Sequence, residues 1–279
     1  MPGLAYKAAM NVDFYKMQGA GNDFVLLDDR TRPAGLNPLQ LTALADRRFG
    51  VGCDQIILLE APREPDSDAF VRFFNNDGSE SGACGNGTRC AAALIAGESG
   101  NRHVRLHGLA GPLPSEMLGD GQVRVDMGPA RLNWREIPLS RDSDTLHLGL
   151  AGDPAACSIG NPHATLFVAD MDGINPARDG PALSDDPLFL DGANIGFAQV
   201  LSASSIRLSV WERGSGLTLA CGSGACAAVV NAHRRGLTGR ACDVEMPGGL
   251  LHVEWRNDGH VLLAGPTVMV FTGSIRLAV

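Results

Sequence analysis

Most apolar residues in this chain fall in short runs set between turns rich in Gly, Asp and Pro, the pattern of a strand-rich protein. Two stretches depart from it. TRCAAALIAG, from Thr88, and ACAAVVNAH, from Ala225, carry small and apolar residues almost all round and end near Gly97 and Gly236. A helix without a polar face has to be surrounded, so each predicts a helix enclosed by sheet. LQLTALADRRFG, ending at Gly50, has the spacing of an amphipathic helix. No counterpart is evident in the Pro-rich stretch from Pro176 to Pro187, and the tail VMVFTGSIRLAV reads as strand.

The two enclosed helices follow nearly the same segment, ACGNG at residues 83–87 and ACGSG at residues 220–224. With Cys84 set over Cys221, other landmarks come into register. Gly128 and Pro129 stand 44 and 45 residues past Cys84, and Gly265 and Pro266 stand 44 and 45 past Cys221. Each pair follows an Asp-Gly turn, Asp120-Gly121 or Asp258-Gly259, and a short apolar strand, which reads as a hairpin return. Upstream, GNDFVLLD from Gly21 answers to GNPHATLFV from Gly160, and GCDQIILLE from Gly52 to GANIGFAQV from Gly192. A repeat this long describes two domains of one design and not a solenoid. The expected fold is α+β, with two pseudo-symmetric domains, each a β-barrel-like curved sheet around a central helix. The expected halves are 12–128, carrying Cys84 and joined by a C-terminal strand at 267–279, and 129–266, carrying Cys221.

Charge and cysteine content narrow the class. Lys and Arg number 23 against 31 Asp and Glu, a net charge of -8 with no basic run, which disfavours nucleic acid and anionic membrane as partners. The N-terminal stretch shows no apolar signal-peptide core and no segment reaches membrane-span length, so the expected location is cytoplasmic. Seven cysteines without a secretory signal read as reduced thiols.

Cys84 and Cys221 each open a helix, where unpaired backbone N–H groups and the positive end of the dipole stabilise a thiolate. The N–H groups of Gly85, Asn86, Gly222 and Ser223 suit a carboxylate at those helix ends. With a thiolate on one side of an amino acid's α-carbon and a thiol on the other, a proton leaves one face, another arrives at the opposite face, and the centre inverts. No glycine-rich phosphate loop of the Walker or Rossmann type is present, and the chemistry demands no cofactor. Zinc is an alternative: Cys84 with Cys90 and Cys221 with Cys226 supply four thiols. Their five and four intervening residues fit poorly beside the usual ~2–4, and the expectation is no metal. Cys53, Cys90, Cys157, Cys226 and Cys242 read as small buried hydrophobes.

The motifs GAGNDF (19–24), GCDQ (52–55), FNNDGSE (74–80), ACGNGTRC (83–90), GNPHA (160–164), ANIGF (193–197), WERGSG (211–216) and ACGSGACA (220–227) together resemble the diaminopimelate epimerase family, and the resemblance runs on through GPTVMVFTG (265–273). It implies a cofactor-independent interconversion of LL- and meso-diaminopimelate, serving lysine and peptidoglycan synthesis, by a protein that is typically a homodimer. By motif it gives Cys84 and Cys221 the acid/base positions. It assigns substrate binding to Asn22, Gln55, Asn75, Asn161, Asn194, Glu212 and Arg213, with Gly85, Asn86, Gly222 and Ser223 on the reacting carboxylate. His163 and Glu212 are implied near the cysteines, tuning which thiol is ionised. The polar set suits such a substrate: Arg213 has a bidentate fork for a distal carboxylate, and an Asn amide both donates and accepts. Leu217 stands where the family commonly has an acidic residue, and about a dozen residues precede the first family motif. A racemase of the same architecture acting on histidine or a proline derivative is the rival reading, and a zinc-stabilised or ligand-binding scaffold is the non-enzyme one.

Overall fold

A computed structural model describes residues 9–278 of the chain. Most of the N-terminal extension noted above, residues 1–8, lies outside the described residues, as does Val279. The chain divides into two compact units. Unit 1 takes the chain up to Gly19, Asp23–Pro114 and the segment from Thr267 onward; unit 2 takes Ala20–Asn22 and Ser115–Pro266.

In chain order the first elements are β1 (Ala9–Gly19), β2 (Asn22–Asp29), α1 (Pro38–Ala45), β3 (Gln55–Glu60), β4 (Ala69–Asn75), β5 (Glu80–Ser81), α2 (Gly85–Ser99), β6 (His103–Gly108), β7 (Gly111–Gly119) and β8 (Gln122–Pro129). There follow β9 (Ala155–Ser158), β10 (Pro162–Phe167), α3 (Pro176–Ser184), β11 (Asn194–Ser202), β12 (Ser205–Glu212), β13 (Gly216–Leu217), α4 (Gly222–Arg234), β14 (Ala241–Met246), β15 (Gly249–Trp255), β16 (His260–Pro266) and β17 (Val268–Ala278). The fold is α+β, and each unit curves its sheet about one enclosed helix.

The same connections occur twice. In unit 1, β2 and β3 run parallel across the α1 crossover, β3 and β4 are antiparallel, and β4 meets β6 in parallel across α2. In unit 2, β10 and β11 run parallel across α3, β11 and β12 are antiparallel, and β12 meets β14 in parallel across α4. Parallel neighbours need such crossovers, and helices supply them. The registers also correspond: Phe24 pairs with Gln55 and Gln55 with Asn75, while His163 pairs with Asn194, the residue before the Ile195–Trp211 pair.

The enclosed helices are buried as their composition requires. From Gly85 to Ala96 every residue of α2 except Ala93 is buried, and so is α4 from Gly224 to Ala232. In α4, Val229 and Val230 are fully buried against apolar residues of β12 and β14–β16, each contributing about 1.5–3 kcal/mol of transfer free energy. Unit 1 has its own core around Leu27, Leu41, Leu44 and Ile56.

Four expectations are corrected. Helix α2 runs past Gly97 to Ser99 and stops at Gly100, whose φ of 72° puts it in the left-handed conformation that ends helices, its N–H bonded to Ala96 O at 2.8 Å. Helix α1 ends at Ala45, short of Gly50. The chain folds back there so tightly that a Cβ on Gly50 would lie 2.1 Å from the carbonyl oxygen of Ala43. The Pro-rich stretch does hold the counterpart of α1: Asn175 caps α3 through the Arg178 N–H, and Pro176 takes the first helical position, where a missing N–H costs nothing. Finally, the units part after Pro114 and not at 128–129, because β8 bonds along β16 and brings the β7–β8 hairpin into unit 2. The tail strand β17 pairs antiparallel with β1 from Gln18 to Ala9 in unit 1.

Candidate active site

In unit 1 the candidate residues gather at the start of α2. Cys84 is the N-cap of that helix, with extended φ and ψ of -149° and 106°, and is half-buried. The Gly87 N–H donates to Cys84 Sγ at 3.3 Å, and the Cys84 carbonyl accepts from the Thr88 N–H and hydroxyl, each at 2.8 Å. The sulfur therefore caps the helix as a Ser oxygen would, and that N–H favours negative charge on it. Gly87 must lack a Cβ, which would lie 2.9 Å from the Phe73 ring. Gly85 and Asn86 are buried in the same turn. On the adjacent strands Gln55 Nε2 donates to Asn75 Oδ1 at 2.9 Å, and Asn75 Nδ2 donates to Ser79 Oγ at 3.1 Å.

In unit 2 the counterparts surround α4 with different chemistry. Cys221, the N-cap of α4, is 4% exposed, with its Sγ 3.7 Å from Ser223 Oγ. Burial, then the Glu212 carboxylate, pushes this thiol well above the ordinary cysteine range, against hydrogen bonds from Ser223 and the Gly224 N–H. Glu212 is itself held by the Thr218 hydroxyl, which donates to Oε1 at 2.5 Å. Gly222 is buried beside Cys221. A second group forms on β10 and β11. His163 Nε2 lies 3.0 Å from Asn161 Oδ1 and 3.4 Å from Asn194 Nδ2, and Asn194 Oδ1 accepts from the Arg213 backbone N–H at 2.9 Å. Burial, reinforced by the Arg213 charge, lowers His163 to about 3, so the imidazole is neutral at neutral pH. The Arg213 side chain is exposed and its Nη1 donates to the Asp191 carbonyl. Leu217 is half exposed on β13, opposite Trp211.

Three supporting features escaped the sequence reading. Thr218 is one. Arg89 is another: inside the quoted motif ACGNGTRC it is fully buried, and its Nη2 donates to Asn86 Oδ1 at 2.9 Å. The third is an ion network beside Asn22 and Gln55. Asp23 receives Lys16 Nζ at 2.5 Å and both Arg47 Nη atoms at 2.6 and 3.0 Å, while Arg47 also reaches Asp54 at 2.7 Å. Burial would raise the Asp23 carboxyl, but the hydrogen bonds from Arg47 and Lys16 outweigh it and hold it well below the usual carboxylate range. Asp23 follows Asn22 and Asp54 precedes Gln55, so the network fixes the backbone at both. Asp23 in GAGNDF was the available signal, but its partners are distant in sequence.

Cys90 and Cys226, which the zinc reading needs, are fully buried in the helices. Burial raises Cys90 to about 12. Among the described residues no three His, Cys, Asp or Glu side chains come together as a metal-holding group.

The sequence pattern of the family described as diaminopimelate epimerase matches residues 14–133 and 155–273. The chain belongs to the diaminopimelate epimerase family. A diaminopimelate epimerase of Acidiphilium cryptum is 56% identical over 269 residues, covering 95% of this chain and 96% of that protein. One from Gluconobacter oxydans is 56% identical over 265 residues, 95% and 99% of the two chains. Solved structures carry the fold further afield. A hydroxyproline epimerase from Agrobacterium vitis superposes with a TM-score of 0.69 at 14% identity, over 96% of this chain and 92% of that one. A phenazine biosynthesis protein from Bacillus anthracis gives 0.68 at 14% identity, over 95% and 99%. At such identities these two show shared architecture alone. This member of the diaminopimelate epimerase family thus shares its fold with proteins named for other chemistry, and its own polar residues carry the question of substrate.

Proposed function

We propose that the protein interconverts LL- and meso-2,6-diaminopimelate, a step serving lysine and peptidoglycan synthesis, with Cys84 and Cys221 as the acid and base of a single inversion. One observation carries the reading: two matched helix-opening cysteines each receive a backbone N–H, but one is half-buried while the other is buried beside a carboxylate that outweighs its N–H. In the resting protein Cys84 is the base and Cys221, held protonated by burial and Glu212, is the acid. The Cys84 thiolate takes the α-proton, and the electron pair left on carbon spreads into the substrate carboxylate. The Cys221 thiol then delivers its proton to the opposite face. The product leaves with inverted configuration, Cys84 as thiol and Cys221 as thiolate, and the reverse reaction starts from that state. Donors at Gly85, Asn86, Gly222 and Ser223 stabilise the charge that grows on the carboxylate.

Asn22, Gln55, Asn75, Asn161, Asn194 and Glu212 recognise the ammonium and carboxylate groups, and Arg213 takes the distal carboxylate. Neutral His163 orients Asn161 and Asn194 without competing as a cation. The reading extends to a cytoplasmic homodimer without nucleic-acid or membrane partners. The net charge of -8 disfavours nucleic acid and anionic membrane, and among the described residues no helix is long and apolar enough to cross a membrane. The exposed apolar run Val268–Phe271 on β17 offers a face for the second copy.

Turnover of LL-diaminopimelate measured beside histidine, proline and hydroxyproline tests the assignment. Activity on diaminopimelate alone is expected. No activity on it, with turnover of a single-headed amino acid, would overturn the substrate choice.

A further inference from the structure

Arg89 is an unusual charge. It is 0% exposed and sits in the second turn of α2, a helix whose first turn has no acidic residue. A buried cation near the positive end of a helix is unfavourable on two counts, since it is stripped of water and repelled by the dipole. Helical side chains lean toward the N-terminus, so the guanidinium is carried back over the turn that Cys84 opens. There Nη2 donates to Asn86 Oδ1 at 2.9 Å, and Asn86 is itself 2% exposed. A guanidinium has donors and no acceptor, which settles which end of the amide faces it. The carbonyl end is turned to Arg89, and the donor end of Asn86 is turned away. The repeat gives unit 2 nothing of this kind: the positions matching Asn86 and Arg89 hold Ser223 and Cys226.

We infer that Arg89 is a positioning residue for the reaction, holding the Asn86 amide with its donor end toward the reacting carboxylate and adding a buried positive charge to that anion site. The inference rests on the assignment of the Asn86 backbone N–H to the carboxylate made above, and extends it to the side-chain amide. Arg89 acts through Asn86, so the two substitutions are coupled in the rate and not additive.

The test is a double-mutant cycle in kcat/KM for LL-diaminopimelate with Arg89→Met and Asn86→Ala, each variant checked for folding by thermal unfolding. Arg89→Met alone lowers kcat/KM by about 30-fold, mostly through KM, the scale of one charge-assisted hydrogen bond. In the Asn86→Ala background the same change costs no more than about threefold. Additive losses, or a folded Arg89→Met enzyme with wild-type KM, would overturn the inference. Should Arg89→Met fail to fold, Arg89→Lys runs the same cycle. It keeps the charge and loses the planar fork, with about a 10-fold loss alone and little in the Asn86→Ala background; additivity there is equally fatal. Wild-type turnover by Asn86→Ala, which keeps the backbone N–H, would remove this inference and leave the assignment of that N–H to the carboxylate standing. An impaired Asn86→Ala enzyme with additive Arg89 effects removes this inference only.

Discussion

The α2 and α4 ends of this protein come from one design and have become chemically opposite. At α2 the cysteine is half-buried, its sulfur bonded to the Gly87 N–H, with a neutral Gln55–Asn75 pair and a buried arginine nearby. At α4 the cysteine is 4% exposed and faces Glu212, the residue that the strand registers match to Asn75. Phe24, apolar and fully buried, stands in unit 1 where unit 2 has the neutral His163. Duplication supplies two similar helix ends, but the proposed inversion needs one sulfur ready to accept a proton while the other is ready to give one. The substitutions that broke the symmetry fall on the strands beside each helix and in the helices' own opening turns, where Asn86 and Arg89 answer to Ser223 and Cys226, and the connections between elements were kept.

The comparison can be broken hardest at the sulfurs. Either Cys84→Ala or Cys221→Ala lowers the rate of inversion by about 10³-fold or more, the scale of a lost general acid or base, as read by loss of LL- to meso-conversion on a chiral column. Full inversion by either variant refutes the role given to that thiol. Next comes the charge that sets the α4 end apart. Removing a negative neighbour makes a thiol easier to ionise, so Glu212→Gln moves the pH midpoint of Cys221 alkylation by iodoacetamide downward, followed by peptide mapping. It also lowers kcat/KM by about 100-fold, the scale of a lost charged hydrogen-bonding group. An unmoved midpoint would show that burial alone governs Cys221.

A smaller effect is expected from Asp23→Asn, which unpicks a network that unit 2 lacks. Its KM rises about 10-fold and its stability at pH 7 falls by about 1–2 kcal/mol, a modest figure because the Arg47 side chain is 57% exposed. The folded Asp23 carboxyl titrates below its unfolded value, so its contribution is complete above about pH 4 and is lost as pH falls through the folded value. Urea unfolding at pH 7 and pH 3 should show the gap between the two proteins narrowing at the lower pH. The last effect shows only in stability at mildly acid pH. His163 is lowered to about 3 when folded, so below pH ~6.5 the unfolded chain binds a proton that the folded one does not, and stability falls until about pH 3. His163→Phe, which copies Phe24, should flatten that part of the profile between pH 7 and pH 4.5. An unchanged slope would mean that His163 takes up its proton in the folded protein as readily as in the unfolded chain.

Much of the design was legible because duplication leaves a signature in spacing: the two cysteines, the Gly-Pro pairs and the enclosed helices all follow from it. Boundaries were less so. Gly97 looked like a helix end, but the stop is set by the left-handed backbone at Gly100, and composition does not distinguish two nearby glycines. Helix α3 was hidden by its prolines, although Pro176 sits at the one position where proline helps. At the site, residues inside short motifs could be singled out, whereas Arg89, Thr218 and the Lys16–Asp23–Arg47 network depend on contacts that only folding creates. Arg89 was in plain view within ACGNGTRC, yet nothing in the sequence says that its charge is buried against Asn86.

The central claim, that two different groups serve the two faces of one carbon, is tested most directly by running the wild-type reaction in deuterium oxide and following the α-hydrogens by mass spectrometry at early conversion. With separate bases, the meso-diaminopimelate formed carries one solvent deuterium at the inverted centre while the remaining LL-substrate stays unlabelled. Deuterium appearing in recovered LL-substrate as fast as in product would mean that one group takes and returns the proton, and would contradict the account.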